Sequence, residues 1–341
     1  MIAVYIKIFP LWLQKFFQKN GASGCPWALD ERYGRQVAEK LNMPFYVFDL
    51  SVEYEKDVLQ EFLRQYKVGN TPNPDVLCNR FIKFGRFLDI AKAVGADFMA
   101  TGHYARRRGK AIFRAQDKSK DQSYFLWMLS RAQIEKTLFP LGDLEKTQVR
   151  KIAQKSGLPT AQKPDSQGIC FLGQFKVQDF LMEKIKVKKG DIITEKGEKI
   201  GEHQGVWFYT IGQRIRSESG VELDFSKVSF RGKDIPAFYV VRKIIPKNQL
   251  IVGRADAPAL YLRLLVAKDL NLTGTIPKNL LCQIRYGQIP QKCQIKMLSS
   301  HKAKVKAKVI FKKRQRAITI GQSIVFYQGE KMLGGGIIAS R

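Results

Sequence analysis

The spacing of apolar positions changes character once along the chain. Ile2–Ile8 is apolar except for Lys7 and reads as a buried strand. From Asp30 to Leu41, Tyr33, Val37, Ala38 and Leu41 recur at helical spacing, and Phe45–Phe48, after Pro44, reads as a strand. Val52–Tyr66 is again helical, with Val58, Phe62 and Leu63 on one face. A turn-rich segment, Gly69–Pro74, precedes a predicted helix from Asn79 to Val94. Asp97–Thr101 is a short strand ending at Gly102 and His103. Strands alternating with helices predict a parallel α/β domain over residues 1–135. In such sheets ligands bind beyond the carboxyl ends of strands, where Ala100–Tyr104 lies.

Lys146–Ser156 reads as a helix stopped by Gly157 and Pro159. Beyond Lys188 helical periodicity fades, and short β-rich runs alternate with Gly, Pro and Asn turns. The section from Gln249 onward suits a small barrel or sandwich. The expected organisation is an α/β domain over 1–135, a small central domain over 136–245 and a C-terminal β-barrel over 246–341.

Charge adds a partner class. The formal net charge is +29, which favours a polyanion, and nucleic acid is the usual one. A hydrophobic share of 45% is too high for a disordered chain. Cys25, Cys78, Cys170, Cys282 and Cys293 are widely spaced and form no C-x-x-C pair. That argues against a zinc site and for a reducing compartment. The apolar stretch at residues 2–17 is interrupted by Lys7 and Lys15, lacks a preceding basic region and is too short to span a bilayer. A cytoplasmic protein with no membrane partner is expected.

His301–Ile310 reads HKAKVKAKVI, with Lys302, Lys304, Lys306 and Lys308 on one strand face and Ala303, Val305, Ala307 and Val309 on the other. Lys312, Lys313, Arg314 and Arg316 follow. From Tyr261 to Arg341 there are 16 Lys and Arg against 2 acidic residues. A surface ladder of this kind can hold phosphates. The competing reading is a solvated edge strand whose lysines discourage strand pairing.

Six segments then carry a family resemblance: TPNPDVLCN (Thr71–Asn79), ATGHYAR (Ala100–Arg106), KDQSYFL (Lys120–Leu126), DSQGICFLG (Asp165–Gly173), GVWFYTIGQR (Gly205–Arg214) and GQSIVFYQGE with LGGGII near the end. In order and spacing the chain resembles the tRNA-uridine 2-sulfurtransferases, the tRNA-specific 2-thiouridylase family, from about Val4 to Ile338. The resemblance implies an adenine-nucleotide α/β domain, a small central domain and a C-terminal β-barrel. It also implies a two-step reaction. ATP, with Mg²⁺, adenylates the O2 of the wobble uridine in tRNAs for Lys, Glu and Gln. Sulfur from a cysteine persulfide, supplied by a sulfur-relay donor protein, then displaces AMP.

A uridine oxygen is a poor leaving group until adenylated, and releasing sulfur from one thiol needs a second thiol or a reductant. By resemblance Cys170 is the persulfide cysteine, Cys78 its partner nucleophile and Asp75 an acid/base beside the target base. Asn73, Pro74 and Asp75 match the base-contacting segment. Gly102 and Ile6 match nucleotide-contacting positions, Ile6 standing where the family usually has Met. His103, the tripeptide Lys120, Asp121 and Gln122, the pair Arg285 and Tyr286, and Gln322 match tRNA-contacting positions. Cys25, Cys282 and Cys293 have no motif support and read as structural thiols. No metal-ligand set is expected.

The chain also departs from the family. Members carry a first strand and an SGGxDS loop whose backbone N–H groups hold the ATP pyrophosphate. Here Val4–Lys7 resembles the second strand, no SGGxDS occurs, and Gly21–Gly24 lacks the Asp and Ser to replace it. Two accounts fit: a start of the chain lost or mis-set, or a shortened copy that binds tRNA but cannot use ATP. ATP binding by the chain as written is expected to be impaired. A longer polar stretch, Ile215–Ile235, replaces a short Gly-rich turn, and Ile320 stands where a Pro commonly precedes the barrel's Gly-Gln.

Overall fold

A computed structural model of the chain describes residues 1–20, 26–164, 171–172, 175–216, 219–224, 236–277, 279–298 and 305–341. It divides into two compact units, one of residues 1–61, 74–180 and 329–332, the other of 62–73, 181–328 and 333–341.

The first unit is α/β. Strand β1 (Ala3–Lys7) pairs in parallel with β2 (Phe45–Asp49), from Ala3 opposite Phe45 to Lys7 opposite Asp49. The helix Pro26–Lys40 makes the crossover that a parallel pair requires. Strand β3 (Met99–Ala100) leads into the hairpin β4 (Ala105–Arg108) and β5 (Ala111–Arg114), and pairs in parallel with β6 (Thr137–Leu138). The helix Lys146–Lys155 ends just before Gly157, whose φ of +61° lets the chain turn at no steric cost.

Four details differ from the sequence reading, the first being that the helix expected from Asn79 already begins at Pro74. β1 is half-buried along its whole length rather than buried. The strand expected over Asp97–Thr101 contracts to two residues. Leu11–Lys19 forms a helix that the reading of residues 2–17 as one apolar stretch passes over, although Leu11–Leu13 and Phe16–Phe17, separated by Gln14–Lys15 and followed by Gln18–Lys19, are spaced for one apolar face. That helix turns Leu13, Phe16 and Phe17 inward, where Phe16 meets Phe175 and Phe180 edge-on at 5.7 Å, while Leu11 stays exposed.

The second unit is almost all β. A five-stranded sheet has the order β10–β11–β7–β8–β9, built from β7 (Gly190–Thr194), β8 (Lys199–His203), β9 (Val221–Leu223), β10 (Tyr239–Ile244) and β11 (Gln249–Gly253). Six strands then form a barrel: β12 (Tyr261–Leu272), β13 (Leu280–Gln283), β14 (Gln291–Leu298), β15 (Lys306–Arg316), β16 (Ser323–Gln328) and β17 (Lys331–Ser340). Their order is β12–β15–β14–β13–β16–β17, and β17 closes back onto β12. Ala307, Val309 and Phe311 of β15 point into a core shared with Leu265, Cys282, Cys293, Phe326 and Ile338.

Closure corrects one sequence alternative. β15 pairs with β12 on one side and β14 on the other, so it is not an edge strand. The alternation of Lys306 and Lys308 outward with Ala307 and Val309 inward is as the pattern predicts. Lys302 and Lys304 lie outside the described residues. Among the described residues, no helix is long and apolar enough to cross a membrane.

Candidate functional site

One helix, residues 74–93, organises the first unit's chemistry. Pro74 opens it, where a missing N–H costs nothing, and Asp75 lies in its first turn, where the helix dipole favours a negative charge. Cys78 follows one turn later and is 1% exposed. From Cys78 to Arg86 the backbone widens to π-helical hydrogen bonding, a geometry often found at functional sites. Asn79 Nδ2 donates to the Phe125 carbonyl at 3.1 Å and Arg80 Nη1 to the Met128 carbonyl at 2.9 Å. The helix is thereby tied to the segment that follows Lys120, Asp121 and Gln122.

Farther along, Lys83 and Phe87 of this helix line a cleft of about 470 Å³. Val4 and Ile6 of β1 form another wall, and Met99–His103 and Gln122 complete it. The cleft therefore opens where β3 ends, at the carboxyl terminus of a parallel strand. Gly102 is exposed there. His103 Nδ1 lies 2.9 Å from Thr101 Oγ1, and its ring packs against Phe84 and Phe139. Burial, reinforced by the nearby Lys83 charge, holds its pKa well below the ordinary histidine range, so the ring is neutral at pH 7.

Gln122 is held twice against Tyr104. Its Oε1 accepts from the Tyr104 N–H at 3.0 Å, and its own N–H donates to the Tyr104 carbonyl at 2.8 Å. Asp121 is buried. Its carboxylate takes Arg114 Nε at 2.7 Å and the N–H groups of Ala115 and Ser123 at 3.0 and 3.2 Å. Lys120 is half-buried beside it.

The second unit carries the other sequence-picked positions. Gln322 Nε2 donates to the carbonyls of Thr71 and Pro72 at 2.8 and 3.2 Å. The Thr71 N–H donates to the Ile320 carbonyl at 2.9 Å, and Thr71 Oγ1 lies 3.2 Å from Thr210 Oγ1 in the GVWFYTIGQR segment. Asn73, half-buried, follows in sequence. Gly321 has a φ of +92°, and a Cβ there would sit 3.0 Å from the Thr71 backbone, so this approach requires glycine. The Arg285 guanidinium donates to the Arg316 carbonyl, and Tyr286 is exposed.

The structure thus gathers Ile6, Gly102, His103 and Gln122 around one cleft. Asp75 and Cys78 are not among the lining residues but share a helix with two that are. Cys170 and Cys25 lie outside the described residues. Phe171, next in sequence to Cys170, is buried against Tyr54 and Phe180. Cys282 and Cys293 are buried in the barrel, and burial pushes the Cys282 thiol well above its ordinary pKa, with Cys293 adding to the shift. Neither has the character of a reactive thiol.

Sequence reasoning missed Lys83 and Phe87, whereas Thr101 falls within the Ala100–Tyr104 segment it placed at a ligand-binding strand end. The first two stand four apart on one helix face, a signal that points to a shared neighbour without naming it. Lys243 was also missed. Its amine donates to the Tyr209 carbonyl at 2.8 Å, and burial lowers its pKa to about 7.

The adenosine part of a nucleotide fits the cleft's chemistry, while the sequence contains no SGGxDS loop to hold the pyrophosphate. The volume is in the range of small-molecule sites, Lys83 supplies a cation, and Gly102 presents backbone without a side chain. Among the described residues no three His, Cys, Asp or Glu side chains gather to hold a metal.

Comparison with known proteins agrees with this architecture. Residues 1–174 match the tRNA methyl transferase HUP domain, 178–254 the tRNA methyl transferase PRC-barrel domain, and 262–338 the aminomethyltransferase β-barrel domain. The protein is an α/β HUP domain followed by two β domains. At the level of whole chains, it is 40% identical over 337 residues to the tRNA-specific 2-thiouridylase MnmA of Pseudomonas putida (strain GB-1), covering 96% of this chain and 87% of that one. The MnmA of Dichelobacter nodosus is 40% identical over 342 residues, covering 98% and 88%. That of Pseudomonas savastanoi pv. phaseolicola is 42% identical over 338 residues, covering 96% and 86%. The chain belongs to the tRNA-specific 2-thiouridylase family.

Proposed function

We propose that the protein is a tRNA-uridine 2-sulfurtransferase acting on the wobble uridine of tRNAs for Lys, Glu and Gln in the cytoplasm. The observation that carries this reading is the helix 74–93. In one rigid element it holds Asp75 and Cys78 in its first turns and presents Lys83 and Phe87 to the nucleotide-sized cleft. Kinship with proteins named tRNA-specific 2-thiouridylase supports the same reaction class.

ATP with Mg²⁺ would supply the activation that makes the uridine O2 a leaving group; with no SGGxDS loop in this sequence, the cleft's own residues would have to hold it. The protein's own groups then have distinct tasks. Lys83 offsets phosphate charge, while Ile6 and Gly102 shape the nucleotide's contact surface. The neutral His103 and the fixed Gln122 present hydrogen-bonding groups to the RNA without charge. Asp75 moves a proton at the base, and Asn73 and Pro74 fix the base's position. Cys170 carries the outer sulfur of a persulfide delivered by a donor protein. Attack of the Cys78 thiolate on the Cys170 sulfur breaks the persulfide bond and releases hydrosulfide, which displaces AMP, leaving a Cys78–Cys170 disulfide that an external thiol reductant reopens. Lys120, Asp121, Arg285, Tyr286 and Gln322 belong to the tRNA-binding surface, where Arg and Tyr can combine phosphate contact with base stacking.

The test is sulfur incorporation into unmodified tRNA by the purified protein, given ATP, Mg²⁺ and a persulfide donor. Cys170→Ser is expected to abolish incorporation and leave tRNA affinity unchanged. Thiolation retained by that variant would refute the assignment.

A further inference from the structure

The barrel's outer wall carries a two-dimensional array of positive charge that sheet stability does not explain. Lys296 of β14 stands directly opposite Lys308 of β15, with Val266 of β12 beyond it. In the adjacent outward row, Gln294 faces Ile310 and Ile310 faces Leu264. Lys292 and Lys312, both exposed, flank the Cys293–Phe311 pair. Strands β14 and β15 contain no carboxylate, and among the described residues none of these lysines has an ion-pair partner.

Like charges directly opposite one another destabilise a sheet. Lysines are placed on strands at such a cost to protect edges, but β15 is paired on both sides in a closed barrel and has no edge to protect. An external polyanion that neutralises the array would remove the repulsion. A nucleic-acid backbone suits it better than a lipid surface, because in the outward rows the exposed apolar residues are the single pair Leu264 and Ile310, while the exposed Met297 and Val305 stand at the alternate positions, in step with the inward Ala307.

We propose that the β14–β15 wall is a docking surface for the RNA phosphate backbone. The proposal rests on the tRNA reading above and assigns it a second, sequence-independent contact surface. The experiment titrates the full chain against unmodified tRNA over a range of salt, for wild type, Lys296→Glu, Lys308→Glu and the double variant. Each single reversal is expected to weaken binding at low salt about tenfold, and the double variant to flatten the slope of log affinity against log salt by about two. Each single reversal sets a carboxylate opposite a lysine, so its melting temperature should be unchanged or raised. Should one melt early, Lys296→Gln and Lys308→Gln take its place in the same titration.

Wild-type affinity and slope in the double variant would overturn the wall while leaving the tRNA reading intact. Failure of the wild type to bind tRNA in a salt-dependent way would overturn that reading, and the wall with it. Loss of binding to phosphatidylserine vesicles, with tRNA affinity retained, would also overturn the proposal and assign the wall to a membrane.

Discussion

Gln322 holds Thr71: its side-chain amide donates to the Thr71 carbonyl at 2.8 Å, and the Thr71 N–H returns a bond to Ile320 at 2.9 Å. The barrel turn around Gly321 thereby fixes the chain immediately before Asn73–Asp75. Replacing Gln322 with Ala removes this bond and the one to Pro72, a loss of about 1–3 kcal/mol at roughly 1 kcal/mol each. Amide hydrogen exchange across residues 69–73 should accelerate, and thiolation should fall more than tRNA affinity. Exchange rates equal to wild type would show that the clamp is not needed.

Gly102 separates nucleotide binding from folding. A Cβ at this position would meet only Leu141 Cδ1, at 3.7 Å, and Gly102 is exposed in the cleft. Gly102→Val should therefore leave the melting temperature within about 1 °C of wild type, since surface changes are close to neutral, while reducing ATP affinity at least tenfold. A thermal melt checks the first half and isothermal titration with ATP the second. Unchanged ATP affinity would place the nucleotide elsewhere.

Cys78 tests the thiol chemistry from the helix side. Its sulfur is buried, so Cys78→Ser exchanges a thiol for a more polar hydroxyl at an expected stability cost of about 1–2 kcal/mol. Sulfur incorporation should drop to background while tRNA affinity, measured by filter binding, changes less than twofold. Substantial thiolation by this variant would remove Cys78 from the reaction.

Acid should destabilise the protein through its histidines. His203 is 1% exposed, and its Nδ1 accepts the Gly205 N–H at 3.0 Å, a bond that only the unprotonated nitrogen can make. Burial lowers its pKa from 6.5 to about 4. Below 6.5 the unfolded chain binds a proton that the fold refuses, so this contribution is complete above 6.5 and is lost as pH falls towards 4. His103 acts in the same direction. Melting temperatures should fall between about pH 7 and pH 5, and fall less steeply in His203→Gln. An identical pH slope in the variant would contradict the buried neutral ring.

Much of this molecule was legible in its sequence, for identifiable reasons. The helix Pro26–Lys40 was legible from Asp30 onward by the spacing of Tyr33, Val37 and Ala38, and Lys146–Lys155 by the Gly157 and Pro159 that stop it. Alternation in Lys306–Val309 gave the correct inward face of β15. It could not show that β15 has two neighbours, since pairing partners lie elsewhere in the chain. The helix Leu11–Lys19 was encoded too, its Trp12, Leu13, Phe16 and Phe17 recurring at helical spacing between Gln14–Lys15 and Gln18–Lys19. Gly102, His103 and Gln122 came from motifs, and the structure sets them around one cleft. Lys83 was invisible as a cleft residue, because only the folded helix turns it towards β1 and β3. The tie between Gln322 and Thr71 spans 251 positions and no local pattern encodes it.

The most direct measurement is mass spectrometry of tRNA nucleosides from cells that lack this gene, complemented with wild type, Cys78→Ser or Cys170→Ser. Thiolated wobble uridine should disappear on deletion, return with the wild-type chain and stay absent with either cysteine variant. Thiouridine that persists after deletion, or that both variants restore, would contradict a sulfur-transfer role for this protein.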